Sequence, residues 1–256
     1  MERNRLNSKM DNHILTTHFN LQGIKEYPNA YHDIDWLNYR LNLFTNYTIP
    51  SLNNQTDLDF HLVMFCNSNT PEIFKTKLLE LEEENNYLHL IWDQTHFTGL
   101  GGDIPTFYKN IKQTYLKYRK NNSEEVICSK IGTDDLIDAR YNQVIKQIAE
   151  NNPIASIATG LYWDININKF IYSVFPTGPF VMVKSNLSNF KGELREYSHH
   201  ELISKAGGVP IQTDEPLWIQ LIHGDNVWNS LEKMPGTLID NPDDNYLKTN
   251  FGYNKI

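Results

Sequence analysis

Val126-Ile-Cys-Ser-Lys-Ile-Gly-Thr-Asp-Asp135 is the stretch on which the reading of this chain turns. Val126 to Ile131 reads as a short buried strand, and it runs directly into Gly132-Thr133-Asp134-Asp135. Beyond it Ile137, Tyr141, Val144, Ile145 and Ile148 fall at i, i+4, i+7, i+8 and i+11, which predicts a helix. A strand feeding a helix through a polar turn is the unit of an open α/β sheet, where ligands bind outside the carboxyl ends of the strands. Two adjacent carboxylates there can hold a hard divalent cation, Mg²⁺ or Mn²⁺, which neutralises a diphosphate. The same residues also read as a helix N-cap, which needs no ligand. One Asp satisfies such a cap, and the other is then a like-charge burden.

The pattern repeats outward in both directions. His13–Thr17, His61–Cys66 and Tyr87–Trp92 read as strands. Between them, Asp35 can cap a helix with Trp36, Arg40, Leu43 and Tyr47 on one face, ending near Pro50. Thr70 can cap another, with Pro71 at its first position and Phe74, Leu78 and Leu81 at helical spacing. A helix through Tyr108, Ile111, Tyr115 and Tyr118 precedes the fourth strand. In the second half Ile154–Thr159, Phe170–Phe175 and Phe180–Lys184 read as strands joined by turns, followed by a helix over Ser198–Lys205 and an apolar run Leu217–Ile222. The expectation is a single α/β domain whose sheet is mixed, mainly parallel and flanked by helices. Residues 1–10 read as a frayed extension, polar and without the apolar centre of a signal peptide. Residues 11–256 read as one domain, with a nucleotide-binding half at about 11–150, an acceptor half at about 151–235 and a polar tail at 236–256.

Bulk properties exclude several classes. Of 256 residues 40% are hydrophobic and 21% charged, an ordinary globular balance. A net charge of -8 without a basic tract argues against nucleic-acid binding. No run approaches the roughly 18 apolar residues that would make a transmembrane segment. Cys66 and Cys128 are too few for a disulfide framework, sit in apolar runs and imply a reducing, cytoplasmic compartment.

Four stretches, in order, resemble a known family. Ile127-Cys-Ser-Lys-Ile-Gly-Thr-Asp-Asp-Leu-Ile137 is similar to the Arg-Ile-Asp-x-Asp-Asp-Ala-Leu segment of the bacterial rhamnosyltransferase family, which resembles the wider GT-A sugar-nucleotide transferases and their Asp-x-Asp motif. Leu15-Thr-Thr-His-Phe-Asn20 resembles the family's first strand and its Arg-Phe-Asn. Asp35-Trp-Leu-Asn-Tyr-Arg-Leu-Asn-Leu-Phe-Thr-Asn-Tyr-Thr-Ile-Pro-Ser-Leu52, followed by Gln55-Thr-Asp-Leu-Asp-Phe60, is the most distinctive match. Trp218-Ile-Gln-Leu-Ile-His-Gly-Asp-Asn226 resembles Trp-x-Gln-x-x-His-Gly-x-Asn. Departures are Gly132 where the family has its first Asp, Lys130 for Arg, and His18 for the early Arg.

The resemblance implies a GT-A-like, Rossmann-related fold and inverting transfer of a sugar, rhamnose by the family's label, from a nucleoside-diphosphate donor to a glycan or lipid-linked saccharide. Peripheral contact with a membrane is compatible with that acceptor. It implies a cation on Asp134 and Asp135, with His223 as a further ligand or phosphate contact that makes up for Gly132; imidazole suits Mn²⁺ better than Mg²⁺. Thr16, Thr17, Asn20, Asn67 and Ser68, at the ends of the first two strands, would edge the nucleobase and ribose, with Asp134 and Arg195 toward the phosphates. The general base would come from His199, His200 or Glu201, with Asp214 and Glu215 in second place. Each also has a plainer reading, as turn residues, a polar cap or a solvated surface charge. Rival functions are a two-metal phosphoesterase and a catalytically weak nucleotide-sugar or glycan-binding module.

Overall fold

The computed structural model describes residues 13–20, 31–93, 104–118, 124–188, 199–224 and 230–254. The N-terminal extension expected at 1–10 lies outside them. Two sheets carry the fold. The first is built on β1 (His13–His18), β2 (Phe60–Asn67), β3 (Leu88–Asp93) and β4 (Glu125–Lys130), which pair in parallel in the order β4-β1-β2-β3. Beyond β4 it continues through β9 (Val181–Asn186), antiparallel to both β4 and β6 (Ile154–Ile157), and ends on β10 (Val209–Ile211), parallel to β6. The second sheet has the order β12-β8-β7-β11-β5. Its strands are β5 (Asp135–Ile137), β7 (Thr159–Asp164), β8 (Lys169–Val174), β11 (Trp218–Ile222) and β12 (Thr237–Ile239).

The central strands of the first sheet are largely buried because both faces are covered. Alternation sends Leu15, Leu62, Met64 and Ile127 to one face, where they meet Leu37 and Leu41 of α1 (Ile34–Leu43), Phe74 and Leu78 of α3 (Glu72–Glu84), and Tyr141 and Ile145 of α5 (Tyr141–Asn151). Ile14, Val63, Phe65, Val126 and Cys128 go to the other face, against Ile111 and Tyr115 of α4 (Ile104–Tyr118) and Leu202 of α6 (His199–Ser204). Both cysteines are buried, and neither is in a disulfide. Among the described residues no helix is long and apolar enough to cross a membrane.

Several local expectations give way. Asp33, not Asp35, caps α1, its side chain accepting from the Trp36 amide at 3.0 Å. The helix does not end at Pro50: a π turn over Phe44–Thr48 leads into α2 (Ile49–Asn53), and the proline sits in its first turn, where a missing N–H costs least. Thr70 does not cap α3; its hydroxyl donates to the Asn67 carbonyl instead, at 2.5 Å. Ile154–Thr159 is two strands, because the chain leaves the first sheet at Ala158 and enters the second at Thr159.

The correction that matters most follows β4. Asp135 opens β5, antiparallel to β11, and α5 begins only at Tyr141. Neither Asp134 nor Asp135 is a helix cap. The region after Pro235 is likewise no loose tail. β12 adds to the second sheet, and α7 (Asp244–Phe251) buries Leu247 and Phe251 against Leu43, Leu136, Leu161 and Ile219. It ends on Gly252 at φ 65, where a Cβ would run into the Pro50 carbonyl of α2.

Candidate active site

Asp134 and Asp135 lie at the seam where the chain passes from β4 of the first sheet to β5 of the second. Three elements converge there. From α1, Arg40 donates through Nη1 to Asp134 Oδ2 at 2.7 Å and through Nη2 to the Thr133 hydroxyl. From the end of β11, His223 Nε2 meets the same Asp134 oxygen at 2.9 Å. Tyr39, beside Arg40, donates to the His223 carbonyl at 3.0 Å and sets its ring edge-on to the imidazole, centroids 5.3 Å apart. Arg40 in turn lies 5.7 Å from the Trp36 ring centre. β11 delivers His223 here because Trp218 anchors it: the indole is wholly buried, stacks on Phe180 at 4.9 Å and donates to the Ile157 carbonyl at 2.9 Å.

The two carboxyl groups are driven apart electrostatically. Burial alone would raise Asp134, but the Arg40 guanidinium and the His223 hydrogen bond hold it well below the usual carboxylate range. Burial, and then the Asp134 charge, push Asp135 well above that range, despite hydrogen bonds from the Gly132 and Leu221 backbone. The Gly132 amide donates to Asp135 Oδ2 at 3.1 Å, whereas Asp135 Oδ1 is buried without a partner. Gly132 itself is closed to a side chain. A Cβ there would overlap Asp135 Oδ2 and sit 2.7 Å from Asp134 Oδ1 as those side chains stand.

Among the described residues no three His, Cys, Asp or Glu side chains are gathered to hold a metal ion by themselves. The donor set is an incomplete one: Asp134 and His223 in contact, with the orphaned Asp135 oxygen beside them. It fits a hard cation that takes its other ligands from water and from a diphosphate.

The residues at the ends of β1 and β2 divide into two groups. Thr16 donates to the Ser129 carbonyl at 3.1 Å. The Asn20 amide is spent on the Tyr31 carbonyl, the Thr70 hydroxyl and the Asn67 N–H. Both tie strand ends together. By contrast Thr17 Oγ1, Asn67 Nδ2 and Ser68 Oγ are buried with no partner, which is where a ligand's polar atoms would be welcome. His199 and His200 open α6, but their side chains, and all of Arg195, lie outside the described residues. Glu201 is paired with Lys205 at 2.6 Å. Asp214 and Glu215 line a separate cavity of about 400 Å³ with Tyr172 and Tyr246. They precede β11, while His223 follows it, so five strand residues, roughly 17 Å, separate them from Asp134. The structure does not bring them to the Asp pair.

Residues 16–236 match the family model described as "Putative rhamnosyl transferase". The chain belongs to that family. No curated protein matches it. Among solved structures, S. aureus TarS residues 1–349 is similar at 12% identity, over 82% of this chain and 60% of that one, with a TM-score of 0.46. A second TarS structure, in complex with UDP, matches equally. A Desulfovibrio desulfuricans G20 protein described as a "putative nucleotide-diphospho-sugar transferase" is similar at 14% identity over 86% of this chain and 84% of that one, TM-score 0.39. The chain thus spans 60% of the TarS structure's length. Arg40, Tyr39 and Thr133 escaped the sequence reading as site residues. The signal was present, since an arginine stood on the Trp36–Leu43–Tyr47 face of an otherwise core-facing helix.

Proposed function

We propose that this chain transfers a sugar, rhamnose by the family's label, from a nucleoside-diphosphate donor to a glycan or lipid-linked saccharide with inversion, and that it needs Mn²⁺ or Mg²⁺. The contact of Asp134 with His223 at the carboxyl end of β4, next to the orphaned Asp135 oxygen, carries this reading. Asp134 and His223 would hold the cation, with Asp135 alongside, and when bound it supplies neutralising charge to the departing diphosphate. Thr17, Asn67 and Ser68 offer the buried polar atoms for nucleoside and ribose. His200 or Glu201 would take the proton from the acceptor hydroxyl, with His199 beside them. A reducing, cytoplasmic setting, with peripheral contact to a membrane-borne acceptor, suits two buried thiols that form no disulfide.

Thermal melts with a panel of sugar nucleotides, with and without Mn²⁺, test the donor half. Ligand at a hundred times its Kd adds about 2.7 kcal/mol, or roughly 5–10 °C for a chain of this size, and the rise should vanish in chelator. Nucleotide release should then require both donor and acceptor, and His200→Gln or Glu201→Gln should slow it about 10²-fold or more without changing nucleotide affinity. Release without acceptor favours a phosphoesterase, and binding without release a module that only holds its ligand. Full transfer in excess chelator would remove the metal from the mechanism.

A further inference from the structure

We propose that Arg40 is a resident counter-ion that is exchanged for the divalent cation: it sits on Asp134 while no cation is held, and turns onto the donor's diphosphate when one enters. The proposal rests on the metal reading above and adds a part that it lacked.

Three observations carry it. Arg40 Nη1 and His223 Nε2 share one oxygen, Asp134 Oδ2, at 2.7 and 2.9 Å. A cation seated between Asp134 and His223 must compete with the guanidinium for that carboxylate, and the two positive charges repel at such range. Second, Arg40 is only partly satisfied where it stands. Asp134 and Thr133 take one N–H from each Nη, whereas Nε is buried without a partner. A planar guanidinium with unspent donors is built for bidentate phosphate binding, which would use them. Third, its position suits the move. Arg40 rises from α1, which packs on the face of the first sheet that carries Leu15 and, two residues further along β1, the unpartnered Thr17. The Trp36 ring, 5.7 Å away, gives the guanidinium an aromatic neighbour that does not depend on Asp134.

The test compares wild type with Arg40→Gln and Arg40→Lys, using Mn²⁺ alone and then thymidine or uridine diphosphate in saturating Mn²⁺. Free Mn²⁺ is read by electron paramagnetic resonance and nucleotide by calorimetry. Removing the competing charge should tighten Mn²⁺ binding by at least tenfold in Arg40→Gln. The same change should weaken diphosphate binding by at least tenfold. Arg40→Lys keeps the charge and loses the fork, so it should hold Mn²⁺ within threefold of wild type yet still lose several-fold in diphosphate affinity. Should Arg40→Gln fail to give a cooperative melt, the lysine variant decides, and unchanged diphosphate affinity in it overturns the proposal. Mn²⁺ affinity that is unchanged or weaker in a folded Arg40→Gln overturns the exchange while leaving the metal reading standing. Mn²⁺ binding by neither protein, with nucleotide present, removes the metal reading and the exchange together.

Discussion

Replacing Arg40 by glutamine takes away the cation that lies on Asp134, and the cost can be worked out from its surroundings. The pair is 2.7 Å long, and its side chains are 15% and 14% exposed. Breaking a fully buried pair by losing one partner costs about 3–5 kcal/mol, whereas exposed pairs are worth about 0–1. With roughly six-sevenths of each side chain covered, Arg40→Gln should cost about 2–4 kcal/mol. Asp134→Asn should cost less, about 1–2 kcal/mol, for a reason visible in the site. Burial and the Asp134 charge push Asp135 well above the usual carboxylate range. Once that charge is gone, its upward push on Asp135 goes with it, and Asp135 can offer Arg40 a new partner. The double variant should therefore cost less than the sum of the singles, with a coupling of about 1–2 kcal/mol. Urea melts at pH 7.5 without divalent cations measure all three. Additive costs, or an Arg40→Gln cost below about 0.5 kcal/mol, would show that the pair is a solvated surface contact and refute this account of the site.

Two further outcomes follow from the core. His13 is fully buried against the Ser129 hydroxyl, and burial, then the Lys146 charge, lower it to about 3. Its folded value lies below its unfolded value of about 6.5, so its contribution is complete above pH 6.5 and is lost as pH falls towards 3. Between pH 7 and 5 that loss is about 2 kcal/mol, and His13→Asn or His13→Gln should flatten the acid side of a stability–pH profile accordingly. Gly160→Ala should cost at least about 1–3 kcal/mol, since its Cβ would enter the buried Trp218 ring, 2.5 Å from Cε3 and nearer still to other ring atoms. Near-UV circular dichroism and denaturant melts would register the displaced indole, and an unchanged midpoint would show that Trp218 has room to shift.

Short-range signals were read well and long-range ones poorly. β1 to β4 and the helices α3 to α5 were legible because buried parallel strands and amphipathic helices leave periodic marks over 6 to 15 residues. The cap at Asp33, the helix running past Pro50 and the break between β6 and β7 were misplaced, since each depends on neighbours far away in the chain. Asp33 and Asp35 look alike in sequence, and only the backbone at the helix start chooses between them. The polar segment after Pro235 gave no hint of α7, whose two buried residues, Leu247 and Phe251, are too few to make a stripe.

By itself the sequence determined the first four strands and the helices between them, the apolar core of the first sheet, the two carboxylates after its fourth strand and the family. All of these rest on residues adjacent in the chain, where spacing and chemistry can be read directly. Only the tertiary structure decided what surrounds the carboxylates. It put Arg40 and His223 on Asp134 from 94 and 89 residues away, gave Gly132 its closed space, and left Thr17, Asn67 and Ser68 unpartnered while spending Thr16 and Asn20 on the strands. Contacts across such separations arise from how two sheets and a helix pack together, and packing of that kind leaves no periodic trace in a single chain.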